Sequence, residues 1–249
     1  MLSRKFIRKG SSSNIYKTKT SLFATLIKRI KWLSSMPQNE VAMKVYTDYT
    51  KLYYRELNAL KRLNGKDTVC QLVGFSPFYH TLYIELGSCD LLTYIDQNYP
   101  FSQDVIHTII CKIVDGVLDC HNSGIAHLDI KPENIVMKRK DDITSLSLID
   151  FNSSSELDDP YTTILTTKSY RPPIIQPNKS YTEREYKYID YYQVGMMAYI
   201  LFTKHVPLNT TRDSVPSSTI PSKAFQFILS LMTDIDLQSD LSTLSRPYW

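Results

Sequence analysis

The run His127-Leu128-Asp129-Ile130-Lys131-Pro132-Glu133-Asn134, followed a hairpin later by Asp150-Phe151-Asn152, constrains this chain more than any other stretch. A carboxylate (Asp129), a cation two positions on (Lys131) and a carboxamide three further (Asn134) are the parts needed to move a phosphoryl group. They supply a base for an incoming hydroxyl, a charge for the transferring oxygens and a metal ligand. Asp150 would hold the other face of that metal. Any one of these residues alone reads as a solvated turn, and Pro132 favours one. Their order and spacing point instead to a single site.

The eight-residue run resembles the catalytic loop of eukaryotic-type protein kinases, and Asp150-Phe151-Asn152 is similar to their metal-binding triplet. The likeness continues upstream and downstream in order and covers nearly the whole chain. It implies an α+β, bilobal kinase fold: a small, mostly antiparallel β lobe with one key helix (residues 1–86) and a larger, mostly helical lobe (residues 87–249), together one domain. It also implies ATP and Mg2+ as cofactors, Asp129 and Lys131 as catalytic residues, and Asn134 and Asp150 as metal ligands. Lys131 and Thr167, in a stretch similar to the family's substrate-docking segment (Thr166 to Pro173), point to serine/threonine hydroxyls of proteins as acceptors.

Other motifs align with an ATP site. Residues 4–17 read as strand, turn and strand, a nucleotide lid with Gly10 at its turn and Ile15 over adenine. Val41-Ala42-Met43-Lys44 is similar to the strand in which alanine forms the adenine ceiling and lysine grips phosphates. A lysine on a buried strand face needs an anionic partner. Glu56, on a helix-patterned segment from Tyr53 to Leu63, matches the family's partner. By the same resemblance Ile84 is the gatekeeper, Glu85 to Gly87 the hinge that pairs with adenine, Asp90 the ribose contact and Val136 the floor opposite Ala42. Apolar residues recur with helical period from Ser102, a plausible N-cap, to Ser123, and Asp190 stands in a buried helix pattern where the family ties down its catalytic loop. His107 and His121 read as packed or surface histidines.

Several positions depart from the family. Only Gly10 of three loop glycines remains, with Arg8 and Ser13 at the other two places. Asn152 stands for a glycine, and asparagine is the non-glycine residue that best tolerates the left-handed backbone that turn calls for. Leu128 replaces the arginine before the catalytic aspartate, which weakens the basic pocket that reads activation-loop phosphorylation. Ile174 replaces a glutamate, and no arginine partner stands near Leu237-Gln238; loss of both halves of a buried ion pair is less costly than loss of one. Residues 21–34, with Leu22, Leu26, Ile30 and Leu33 at helical spacing, read as an inserted amphipathic helix, either a docking surface or a cover for the small lobe.

With 43% hydrophobic and 22% charged residues in 249, the chain belongs among globular proteins. A net charge of +4 gives no reason to expect nucleic acid. Its four cysteines lack metal-ligand spacing, and no apolar run is long enough for a membrane span. A monomer in the cytoplasm or nucleus is expected. Its compactness resembles that of kinases encoded by large DNA viruses, in which case the host cell is the setting. Two other activities fit the same residues: a catalytically impaired kinase-fold scaffold, favoured by the departures, and phosphorylation of a small molecule.

Overall fold

The computed structural model describes residues 5–10, 13–19, 40–47, 50–160, 163–207, 220–233, 247 and 249. The segment 21–34 and the pair Leu237-Gln238 lie outside them. The expected α+β, bilobal arrangement is observed. A five-stranded antiparallel sheet runs in the order β1 (Lys5–Lys9), β2 (Ser13–Lys19), β3 (Glu40–Tyr46), β5 (Thr81–Glu85), β4 (Leu72–Ser76). Helix α1 (Thr50–Arg62) buries Tyr53, Leu57 and Leu60, a stripe at the helical repeat, and leaves Lys51, Tyr54 and Lys61 outside.

The helical body begins at β6 (Cys89–Asp90) and α2 (Leu91–Asn98), a short helix whose first turn is capped by Asp90. Helix α3 (Gln103–Asn122) starts where Ser102 accepts a hydrogen bond from the Val105 amide, and it buries Ile106, Ile109, Ile110, Ile113, Val114 and Val117. Ser102 thus caps the helix as its sequence indicated. β7 (Ile125–Ala126) pairs with β10 (Ser155–Glu156), and β8 (Ile135–Met137) lies between β6 and β9 (Leu146–Leu148). These short ladders bracket the catalytic-loop run and the Asp150 turn and hold them against each other.

Helix α4 (Glu183–Thr203) opens with a reciprocal cap between Thr182 and Glu185 and is buried almost all round from Tyr186 to Leu201. It is the axis of the body. α5 (Ser222–Met232) crosses it so closely that a Cβ on Gly195 would come within 2.8 Å of Met232, so this crossing requires glycine. Trp249 packs edge-on against Phe227, with ring centroids 4.9 Å apart. Among the described residues no helix is long and apolar enough to cross a membrane.

Candidate active site

Strand β3 pairs with β5 so that Ala42 faces Ile84 and Lys44 faces Leu82. Alternation therefore sends Ala42, Lys44 and Tyr46 to one face. The Lys44 ammonium is buried and meets Glu56 Oε2 of α1 at 2.6 Å and Asp150 Oδ1 at 2.7 Å. Burial alone would lower the pKa of this lysine, but Asp150 and then Glu56 more than reverse it and hold the ammonium well above the usual lysine range. Burial also works to raise the Asp150 carboxyl, yet Lys44 outweighs it and leaves Asp150 below its ordinary value. Both groups stay charged at neutral pH.

The catalytic-loop run is held from behind by α4. Asp190, fully buried, accepts hydrogen bonds from the backbone amides of His127 (2.9 Å) and Leu128 (2.7 Å), and His121 Nε2 lies 2.8 Å from the same carboxylate. Gln193 accepts from the Ile130 amide at 2.7 Å and donates to Leu128 O and Thr166 Oγ1. This frame fixes Leu128 at φ 68, a left-handed conformation that is an outlier for a bulky residue. His127 donates through Nε2 to Ile149 O at 3.0 Å and accepts the Asp129 amide on Nδ1 at 3.3 Å, a tautomer fixed by those partners.

Asp129 is thereby presented with three donors on its carboxylate. The Thr167 amide donates to Oδ1 at 2.8 Å, Lys131 Nζ lies 2.9 Å from Oδ2, and Asn134 Nδ2 donates to Oδ2 at 3.1 Å. Lys131 also donates to Thr167 Oγ1 at 2.7 Å. Asn134 Nδ2 donates as well to the Asp129 carbonyl at 2.8 Å, which can only accept, so the carboxamide oxygen is turned away from it. That oxygen, together with Asp150, forms an all-oxygen donor pair. Mg2+ is held by one or two such groups plus waters and substrate phosphates, so the pair fits it. No cluster of three His, Cys, Asp or Glu that could hold a metal occurs among the described residues.

A cavity of about 140 Å³ joins these groups: Gly10, Ile15, Lys44, Glu56, Ile84, Lys131, Asn134 and Asp150 all line it, with Arg8, Ser13 and Asn152. Ala42, Glu85, Gly87, Asp90 and Val136 stand outside its lining. Ala42 and Ile84 are paired, Asp90 pairs with Val136, and Gly87 lies so close to Val136 that a Cβ there would meet its Cβ at 2.7 Å. Gly87 thus rests directly on Val136. The Glu85 carboxylate is spent on Lys138 at 3.1 Å, and Asp90 Oδ1 on the Thr93 amide at 2.8 Å.

The Asn152 expectation needs correction. Asn152 sits in a 3-10 turn (Phe151–Ser153), and the positive φ of this triplet, 66°, falls on Asp150. Replacing glycine by asparagine therefore costs no left-handed backbone here. Leu128 turns its side chain into the core, so it lines no pocket for an anion. Ile174 packs partly buried against the core.

Two contributors to the site went unread in the sequence, and a third, His121, read only as packed or surface, is buried against Asp190. Tyr46 donates its hydroxyl to Glu56 Oε2, and its ring lies 5.2 Å from the Lys44 ammonium. Its place two residues after Lys44 on one strand face was a usable signal. Gln193, one helical turn after Asp190, carried a similar signal. His121 carried none, because its partner stands on another helix.

Comparison with known proteins agrees with this geometry. Residues 5–245 match the family model described as protein kinase domain. The chain is 32% identical over 152 residues to a probable serine/threonine-protein kinase, fhkE, of Dictyostelium discoideum, covering 59% of this chain and 21% of that protein. It is 24% identical over 199 residues to a CDPK-related protein kinase of Daucus carota, covering 72% of this chain and 32% of that protein. Cyclin-dependent kinase F-3 of Oryza sativa subsp. japonica is 30% identical over 155 residues, covering 60% and 34%. The chain thus spans about a fifth to a third of the length of these curated relatives. A family match over nearly all of its length makes this chain a member of the protein kinase family.

Proposed function

We propose that this chain is a protein serine/threonine kinase that transfers the γ-phosphate of ATP to hydroxyls of protein substrates with the help of Mg2+. The observation that carries this reading is the triangle of Asp129, Lys131 and Thr167. Thr167 belongs to the stretch just ahead of α4, and its amide and hydroxyl orient the carboxylate and the ammonium together. A substrate segment laid against Thr167 brings its hydroxyl to a base already aimed.

In this reading Asp129 accepts the hydroxyl hydrogen bond and takes the proton as the oxygen is phosphorylated. Lys131 balances negative charge on the transferred group, and Lys44, fixed by Glu56, binds the phosphates next to it. Asn134 and Asp150 would hold the metal, which would supply positive charge to the phosphate oxygens. Ala42, Ile15, Ile84 and Val136 enclose the adenine, the Glu85 to Gly87 backbone pairs with it, Gly10 covers the phosphates and Asp90 meets the ribose. One domain with lobes 1–86 and 87–249, working as a monomer in the cytoplasm or nucleus, completes the proposal.

The experiment is transfer of labelled γ-phosphate from Mg-ATP to a mixed protein substrate, with Asp129→Asn in parallel. Transfer by the native chain alone supports the reading. Equal transfer by both removes the mechanism.

A scaffold that binds nucleotide without transferring phosphate is the second reading, and one observation favours it. Arg8 and Ser13, side chains at two of the three loop-glycine places, line the phosphate end of the cavity. Thermal stabilisation by nucleotide without Mg2+, and no transfer, would select it.

A further inference from the structure

The stretch that holds Asp129 through the Thr167 amide carries cations and no carboxylate: from Thr166 to Pro173 the charged residues are Lys168 and Arg171. Lys168–Tyr170 form a 3-10 turn, in which the Tyr170 amide donates to Thr167 O at 2.9 Å. Residues three apart in such a turn lie one above the other, so Lys168 and Arg171 share a face, and both are exposed. Tyr170 turns the other way and is buried. Burial, with Glu133 and Asp129 nearby, pushes the Tyr170 hydroxyl up, so the covered side of the turn rests against the catalytic loop. The cationic face is thus mounted beside the carboxylate base and open to solvent.

Arg171 also lines a second cavity, of about 410 Å³. Ile164 and Ile175, which pack against the core, give it an apolar side, Arg171 and Lys179 are its charged residues, and among the described residues no carboxylate lines it. Its walls are firmly built. The Tyr181 hydroxyl accepts from the Gln176 amide at 2.8 Å and donates to the Gln176 carbonyl at 3.1 Å, and Lys179 Nζ lies 2.7 Å from Glu185 Oε1 at the start of α4. The Lys179 charge is therefore already matched. Arg171, by contrast, makes one long hydrogen bond, 3.4 Å to Thr166 O, and no ion pair among the described residues. Its guanidinium keeps a planar fork of donors that fits a carboxylate or a phosphate. Arg171 stands four residues from Thr167, at most about 14 Å of chain, which an extended peptide spans in about four residues.

We propose that Arg171 and Lys168 select protein substrates bearing an anionic side chain, carboxylate or phosphate, within about four residues of the accepting hydroxyl, and that the cavity beside Arg171 receives it. The proposal rests on the reading of this chain as a protein serine/threonine kinase and gives that reading a substrate class. Its test uses one set of serine peptides with alanine, aspartate, phosphoserine or lysine placed one to four residues to either side of the acceptor. Two quantities are measured on the full chain: kcat/KM for transfer from Mg-ATP, and binding of the labelled peptides by fluorescence anisotropy. Aspartate at the favoured place is expected to raise kcat/KM about tenfold over alanine, mainly through KM, and phosphoserine at least as much. Added salt shrinks the preference. Arg171→Ala removes most of it, and Lys168→Glu with Arg171→Glu turns it toward the lysine peptides, a reversal that misfolding cannot produce. Transfer without preference for an anionic peptide, or a preference unchanged in Arg171→Ala, overturns the proposal. If no peptide is phosphorylated but anisotropy keeps an anionic preference that depends on Arg171, the kinase reading fails and the anion site stands. Absence of that preference in binding and in transfer alike removes the site.

Discussion

Lys131 and Thr167, thirty-six residues apart in sequence, are joined by a 2.7 Å hydrogen bond, and both touch the carboxylate of Asp129. Base, cation and docking stretch therefore share one hydrogen-bonded unit. Removing the Thr167 hydroxyl loosens Lys131 while leaving the backbone bond to Asp129 in place. Thr167→Val is expected to lower kcat about tenfold with little change in KM for ATP, and Thr167→Ser to retain most activity. Steady-state kinetics of the three proteins decides it.

Lys44 and Glu56 form a buried pair; loss of Lys44 strands the Glu56 charge, whereas loss of Glu56 leaves Lys44 on Asp150. Lys44→Met should destabilise by about 3–5 kcal/mol and Glu56→Leu by less, and the double variant by clearly less than their sum. Urea unfolding of the four proteins measures the coupling. Additive losses would mean that the pair contributes nothing as a pair.

Leu128 cannot be exchanged for the family's arginine. Its side chain is fully buried, and Asp190 behind its backbone already accepts two amides beside the His121 ring. Leu128→Arg should destabilise by at least about 3 kcal/mol through an unpaired buried cation. A Tm equal to that of the native chain would show room for a guanidinium at this place.

Asp150 has a folded pKa below its ordinary value. A depressed carboxylate contributes stability that is present above its unfolded pKa of about 3.9 and is lost as pH falls through the folded value. The Tm advantage of the native chain over Asp150→Asn should therefore be constant near neutrality and shrink below about pH 4. Thermal unfolding across pH tests this, and a gap that widens in acid would contradict it.

Much of this protein was legible in one dimension because its determinants are local. The loop from His127 to Asn134 orders its own functional groups within eight residues. The stripe of α1, the Ser102 cap and the alternation of β3 are likewise set by periodicities that a sequence displays directly. What tertiary structure alone decided involves partners brought together from distant segments. Asp190 was expected from the resemblance to tie down the loop, but that it does so through the His127 and Leu128 amides, with Gln193 taking the Ile130 amide, is reported by no side-chain pattern. His121 meets Asp190 across two helices, and Tyr46 joins the Lys44–Glu56 pair only because α1 packs against the sheet. The position of the positive φ, on Asp150 rather than Asn152, likewise follows from how the turn is seated beneath α1. Residue type permits such a conformation, but packing around the turn selects where it falls.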